Sequence, residues 1–346
     1  MTTSKPRGFR GTSKPGSVIT KQQRIKDVGK LEQTKASLEG DELKTFIENE
    51  HIRQVYVCGR TLLKDSRLKG SDRYILDIND DKTYPRSEYK RRTAEVKTVL
   101  HFGQRKLLIM EIEFLTKYAE DNDIIIYAGA ASGSHHTLLS ILFPTLYFIL
   151  YDPGDFDRII KTTDKREVHK KFFTIHTSQV LASKYRNKRI LFISDVRRFE
   201  MDLSSKENNE LIEEDMMNQW KWLRILDPFA SLLKFKLPYT PGQTIYLKGT
   251  IYIQPWVGAT STETRLVVTD NRSSTIYDNA IYESVLFHHN IYKRTTYFQN
   301  VEGVKFPEKQ CHCYDCASEL YILGEYTKKY SGDPVQIKEA ISQVFS

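Results

Sequence analysis

Cysteine is scarce in this chain. Four occur in 346 residues, three of them between 311 and 316, and that pattern excludes a disulfide framework. Long apolar runs are also missing. The longest apolar region, residues 137–151, is broken by Ser140 and Pro144 and falls short of the ~20 residues that a membrane helix requires. No membrane partner is expected. The first residues lack the apolar stretch of a secretory signal, which points to the inside of a cell, the cytoplasm. No internal repeat and no heptad pattern is visible. What remains, 40% hydrophobic and 28% charged, is the composition of an ordinary globular protein, long enough for one large domain or one and a half.

Acid is short in one place. Residues 1–40 carry nine Lys/Arg against three acids, so 9 − 3 = +6 of the formal +8 lies there. Residues 1–38, rich in Lys, Ser, Thr, Gly and Pro, read as a disordered basic arm, suited to phosphate neutralisation or to solubility. Residues 39–100 read as an N-terminal extension packing on the core, with a short helix near Asp41 and short strands at 55–57 and 73–76. Residues 101–346 read as the main domain. Apolar residues at helical spacing predict a helix over 103–118. Strands are expected at 123–128, 146–152, 172–175, 189–196, 231–237, 243–253 and 264–268, a long helix at 209–226, and mostly helix after 277. Strands alternating with helices and closing in a run of strands predict an open α/β sheet. It should be mostly parallel with an antiparallel end and have helices on both faces.

The core of the reading is Asp123-Ile124-Ile125-Ile126-Tyr127-Ala128-Gly129-Ala130-Ala131-Ser132-Gly133-Ser134-His135-His136. It describes a buried strand, a small-residue turn and a helix. The G-x-x-x-G spacing is neither the dinucleotide fingerprint nor a Walker loop. Gly129 and Gly133 allow close approach of a ligand. Asp152, at the end of the next strand, is placed to accept hydrogen bonds from ribose hydroxyls. Lys106, Asp195, Lys234 and Glu263 stand in apolar or strand-ending contexts. Residues at carboxyl strand ends converge on one crevice, where these four form either an ion-pair cluster or a catalytic one.

Five stretches occur in order between residues 84 and 330: His101-Phe102-Gly103-Gln104-Arg105-Lys106-Leu107-Leu108; the glycine loop with Tyr127; Ile193-Ser194-Asp195-Val196-Arg197; Ile225-Leu226-Asp227-Pro228 running to Lys234; and Ile253-Gln254-Pro255-Trp256 running to Glu263-Thr264-Arg265-Leu266. In these the chain resembles the poxvirus-type cap-specific mRNA nucleoside-2′-O-methyltransferases, which double as the small regulatory subunit of poly(A) polymerase. More broadly it resembles FtsJ-like 2′-O-methyltransferases. The resemblance implies a Rossmann-like S-adenosylmethionine-dependent methyltransferase. Capped mRNA would be its substrate, a poly(A) polymerase catalytic subunit its partner, and a large cytoplasmic DNA virus its source.

By the same resemblance Lys234 is the base that takes the ribose 2′-hydroxyl proton, Lys106 positions the hydroxyl, and Asp195 and Glu263 set the geometry. A lysine serves as base only when its pKa is drawn below about 10.4. Cofactor contacts carried over are Gln104, Tyr127, Gly129, Ala131, Ser132, Gly133, His135, Asp152 and Asp195. Ser132 stands where the family has proline, and Gly154 where it has arginine. Tyr84 and Tyr239 match a pair of rings that sandwich methylated guanine, and Glu283 matches one guanine-binding acid. The other acid's position holds Pro241. Two further readings are a non-catalytic RNA-binding subunit that stimulates the polymerase, and a ribosomal or transfer RNA 2′-O-methyltransferase.

Cys311, His312, Cys313 and Cys316 lie too close together for the usual paired zinc spacing. They read as buried thiols, and no metal is expected. The basic runs at 90–92, 161–171 and 186–189 are candidates for an RNA groove.

Overall fold

The computed structural model describes residues 63–80, 82–88, 103–198, 204–258, 261–306 and 312–345, with short pieces between 32 and 44. The arm over 1–31, the expected strand at 55–57 and the basic run at 90–92 lie outside the described residues.

In chain order the elements are β1 (Leu63–Leu68), β2 (Tyr74–Ile75), α1 (Gly103–Tyr118), β3 (Ile124–Ala128), α2 (His136–Leu142), β4 (Tyr147–Tyr151), β5 (Arg166–His169), α3 (Ile175–Lys184), β6 (Ile190–Ser194) and α4 (Ser205–Leu226). They continue with β7 (Ala230–Phe235), β8 (Gln243–Leu247), β9 (Thr250–Tyr252), β10 (Thr264–Val268), β11 (Ser274–Asp278), α5 (Asn279–Ile291), β12 (Thr296–Val301), α6 (Tyr314–Tyr330) and α7 (Pro334–Phe345). Eight strands make one sheet in the order β2-β9-β10-β7-β6-β3-β4-β5. From β7 to β5 the neighbours run parallel, whereas β10, β9 and β2 pair antiparallel. The α/β class expected from the sequence is the fold observed.

β3 and β6 are buried at every residue, as strands covered on both faces must be. Their side chains alternate between two cores. Ile124 and Ile126 join Leu181, Leu223 and Leu286 on one face; Ile125 and Tyr127 join Leu108, Leu139 and Leu323 on the other. So α3, α4 and α5 cover one side and α1, α2, α6 and α7 the other. The chain leaves β3 for β4 and β5, then crosses back to β6 and β7. This reversal opens a crevice between the carboxyl ends of β3 and β6. Among the described residues no helix is long and apolar enough to cross a membrane.

Three expectations are corrected. Residues 172–175 do not form a strand. Thr174 caps α3, its hydroxyl accepting from Thr177 N at 3.1 Å, and the strand is β5, inside the basic segment. The stretch 243–253 divides at Gly249, where a Cβ would meet Val267 O at 2.4 Å. β8 then pairs with β11 in a separate ribbon, and β9 joins the main sheet. Helix α4 begins four residues before the expected 209 because Ser204 and Glu207 form a reciprocal capping box.

Candidate active site

The glycine loop leaves β3 with Gly129 at φ +84° and Gly133 at φ +73°. A Cβ on Gly129 would lie 2.9 Å from the Asp195 backbone, and one on Gly133 would lie 2.7 Å from Ala130 O. Neither position admits a side chain, so the loop presents bare backbone. Gly129 N and Ala130 N both donate to Tyr151 O, at 2.8 and 3.1 Å. Asp152 braces the loop, its carboxylate accepting from Ala131 N at 3.1 Å and from Gly154 N at 2.7 Å. Each oxygen keeps a further lone pair for a ligand. Gly154, where the family's arginine is missing, would bring a Cβ to 3.0 Å from Asp152 Oδ1.

Lys106, Asp195, Lys234 and Glu263 meet at this end of the sheet. Lys106 Nζ donates to Glu263 Oε1 at 2.7 Å. Lys234 Nζ lies 3.2 Å from Asp195 Oδ1 and 3.5 Å from Glu263 Oε2. Asp195 is positioned by β6, its N donating to Ala128 O at 2.9 Å. Lys106 comes from α1 and is 8% exposed.

A fifth member was not singled out from the sequence. Arg265, buried on β10, places Nη2 2.6 Å from Asp195 Oδ1 and 3.9 Å from Glu263 Oε1. Gln254 ties it in, accepting from Arg265 Nε at 2.9 Å and donating to Glu263 Oε1 at 3.2 Å. The available signal was a charged residue within the apolar strand Thr264-Arg265-Leu266-Val267-Val268.

Three cations therefore face two carboxylates. Burial pushes Lys106 below the ordinary lysine range; Glu263 opposes this and Arg265 adds to it. Burial alone would raise Asp195, but Arg265, Lys234 and Lys106 outweigh it and hold the carboxyl below its usual value. Glu263 is held well below in the same way, by Lys234, Lys106 and Arg265 against burial. Both acids stay ionised and the cluster carries a net +1.

Beneath the loop, Tyr127 OH donates to Glu111 Oε1 at 2.8 Å. His135 faces the same Glu111 oxygen at 3.1 Å through Nε2, and Gln104 Oε1 at 2.7 Å through Nδ1. Ser134 also donates to Gln104 Oε1, at 3.2 Å. Gln104, Tyr127 and His135 are thus brought together around Glu111, a buried acid in an apolar helix that sequence reasoning passed over. Burial, with His135 and Arg166 adding to it, drives His136 well below the ordinary imidazole value. The Ala131–Ser132 peptide is cis.

The three residues assigned to cap binding are placed less compactly. Tyr239 is 46% exposed, and Lys236 Nζ sits 4.0 Å over its ring. Burial brings Lys236 down to about 8, with Glu263 and Glu283 opposing, and burial raises Glu283, with Lys236 opposing. Tyr84 lines a cavity of about 710 Å³ with Tyr74, Val285, His288, His289 and Tyr292, and Tyr239 is not in its wall. The Tyr84 hydroxyl accepts from Leu76 N at 3.2 Å.

Of the basic runs, Arg166 and Arg189 turn inward and are not free for RNA. Arg166 Nε donates to Lys161 O at 3.0 Å, while Arg189 pairs with Asp123 and donates to Tyr118 O at 2.8 Å. Asp123, just before β3, is 3% exposed, and a buried acid needs such a partner. Cys313 and Cys316 are buried; His312 Nδ1 lies 2.6 Å from Phe298 O. Cys311 lies outside the described residues.

An open α/β sheet with bare glycine backbone and a charged cluster at its switch point defines the class. The chain belongs to the family described as "Poly A polymerase regulatory subunit", which it matches over residues 72–334. No curated protein matches it. It is similar to the solved structure titled "The structure of bluetongue virus VP4 reveals a multifunctional RNA-capping production-line". That likeness has 13% identity and a TM-score of 0.38 over 78% of this chain, and this chain spans 45% of the bluetongue protein. It is also similar to a putative ribosomal RNA methyltransferase from Plasmodium falciparum, with 11% identity and a TM-score of 0.31 over 48% of this chain and 95% of that one.

Proposed function

We propose that the chain is an S-adenosylmethionine-dependent mRNA cap methyltransferase acting on the 2′-hydroxyl of the first transcribed nucleotide, and that it also serves a poly(A) polymerase as regulatory subunit. One observation carries the reading. Lys106, Asp195, Lys234 and Glu263 converge beside a glycine loop whose backbone is kept bare.

The loop suits the cofactor. Gly129, Ala131, Ser132 and Gly133 would lie along it, Asp152 would take the ribose hydroxyls, and Gln104, Tyr127, His135 and Asp195 would complete the pocket. S-adenosylmethionine, when bound, supplies an electrophilic methyl on a sulfonium and one further positive charge. Lys234, between two ionised carboxylates, would take the ribose proton in its neutral form. Lys106, held by Glu263, would fix the hydroxyl in line, and orientation of this kind supplies much of the acceleration. Asp195 and Glu263 hold geometry.

Membership in a regulatory-subunit family favours a second reading, a stimulatory subunit without methyl transfer. Matched capped and uncapped RNAs incubated with the full chain and S-adenosylmethionine separate the two. Mass spectrometry should find one methyl on the first ribose of capped RNA only. No methyl on either RNA leaves the regulatory reading, and a methyl on internal ribose of both indicates a ribosomal or transfer RNA type of substrate.

A further inference from the structure

The group behind the glycine loop contains more polar atoms than its hydrogen bonds use. Glu111, His135 and His136 are each 1% exposed, and one ligand atom from each lies within 4.8 Å of the others. Among the described residues neither ring nitrogen of His136 has a hydrogen-bond partner, nor does Glu111 Oε2. The His136 ring packs edge-on to Tyr127 at 5.0 Å and to Phe148 at 6.3 Å. An apolar side chain would serve that packing equally well, so the imidazole is unexplained by it. A buried polar group without a partner calls for a reason such as a bound ion.

His135 adds a second observation. Nδ1 faces Gln104 Oε1 at 2.7 Å, so a hydrogen on Nδ1 leaves the Nε2 lone pair facing both carboxylate oxygens of Glu111 at 3.1 Å. A lone pair aimed at a carboxylate needs a cation shared between them, either a second ring proton or a metal ion. The Nδ1–H to amide oxygen contact is also how a metal-binding histidine is held in its tautomer.

We propose that Glu111, His135 and His136 form a buried site for a divalent transition-metal ion, with Zn2+ the ion whose ligand preferences the set fits best. Two imidazoles and a carboxylate are a known zinc ligand set, with bonds of about 2.0–2.2 Å and one of four positions left open. Ligand atoms about 3.3 Å apart complete such a tetrahedron, so small side-chain rotations close the site. Tyr127 OH donates to the same Glu111 and acts as an outer partner that orients the carboxylate. The ion would lie apart from the Lys–Asp cluster, behind the loop, and would hold His135 in place. This departs from the expectation, drawn from the 311–316 cluster, that the chain holds no metal.

Full-length protein stripped with a chelator and titrated with Co2+, a coloured stand-in for Zn2+, tests the site. One equivalent should bind with the visible bands of a low-coordinate cobalt centre, and Zn2+ should displace it. His136→Leu should weaken Co2+ binding at least tenfold, while His312→Ala leaves it unchanged. Glu111→Gln, which keeps an acceptor for Tyr127, should weaken it comparably and decides the matter if His136→Leu does not fold. Absence of a stoichiometric band, wild-type binding by the folded variants, or loss of binding in His312→Ala would overturn the proposal.

Discussion

Truncating Lys234 removes an ammonium that faces both Asp195 and Glu263, and leaves the bare loop and Asp152 untouched. Lys234→Ala should therefore lower methyl transfer by about 10²–10⁴, the usual worth of a general base, with S-adenosylmethionine affinity changed little. Asp152→Ala should do the reverse, because its carboxylate braces Ala131 and Gly154. Single-turnover rates and calorimetric titration would separate the two, and a Lys234→Ala enzyme of near wild-type rate removes Lys234 from the mechanism. The cap sandwich is also decided by single residues. If Tyr84 and Tyr239 hold methylated guanine, either alanine variant should weaken its binding by about 1–3 kcal/mol, the worth of one base stack. Lys236 covers one face of the Tyr239 ring and must give way to the base. Tyr239→Phe should bind well; Tyr84→Phe also loses its acceptor for Leu76 N and should be less stable. Equal cap binding by wild type and the double alanine variant ends the proposal. The two lysines and two acids were legible because each interrupts or ends an apolar stretch. Arg265 and Glu111 interrupt apolar stretches too. Nothing local says which partner a buried charge has: Asp195, the carboxylate nearest Arg265, is 70 residues away, and Tyr127 is 16 residues from Glu111.

Helix α1 delivers Lys106, and α6 fixes α1. Arg105 donates to both carboxylate oxygens of Glu319, at 3.0 and 2.7 Å, with the side chains 4% and 0% exposed. Burial raises the Glu319 carboxyl, with Arg105 and Lys338 opposing. Glu319→Ala would remove the carboxylate that neutralises this buried guanidinium and should cost about 3–5 kcal/mol in urea unfolding. A loss under 1 kcal/mol would mean that Arg105 finds another partner. At the sheet edge, Glu167 on β5 accepts from Tyr147 at 2.9 Å and Lys184 at 2.9 Å. Despite some burial, Lys184, His169 and Tyr147 bring it down to about 2. A folded pKa below the unfolded value stabilises above the unfolded value and loses that stability as pH falls. Glu167→Gln should accordingly flatten the melting-temperature profile between about pH 4.5 and 2, with little effect on the slope near neutrality. An unchanged acid limb would show that Glu167 does not link folding to pH. β5 was also where the sequence misled. Phe172 and Phe173 look like a strand, yet Thr174 captures the following amides as a cap, whereas Arg-Glu-Val-His hides an edge strand behind charges typical of loops. The central strands were legible because β-branched runs buried on both faces have few alternatives.

Over the whole molecule the charge is divided. The first 40 residues carry a net +6 and the remaining 306 only about +2. Within the described core several arginines are already committed. Arg73, Arg105, Arg189, Arg265 and Arg294 all pair with acids. Phosphate neutralisation that depends on salt should then fall mainly to the arm, because a cation already paired inside the fold releases few counterions when RNA binds. Each phosphate neutralised on a single strand contributes about −0.7 to the slope of log affinity against log salt. Removal of residues 1–38 should make that slope shallower by about 0.7 for every phosphate the arm had neutralised, and should weaken long RNA most at low salt. The chemistry should not follow. The cluster around Lys234 and the glycine loop lies wholly in residues 103–268, so the truncated chain should methylate saturating short capped RNA at the rate of the full chain. Filter binding across a salt series, paired with methyl transfer at saturating substrate, reads both quantities from one preparation. A slope unchanged by truncation would move the RNA-binding charge into the core and leave the arm to solubility or to the polymerase.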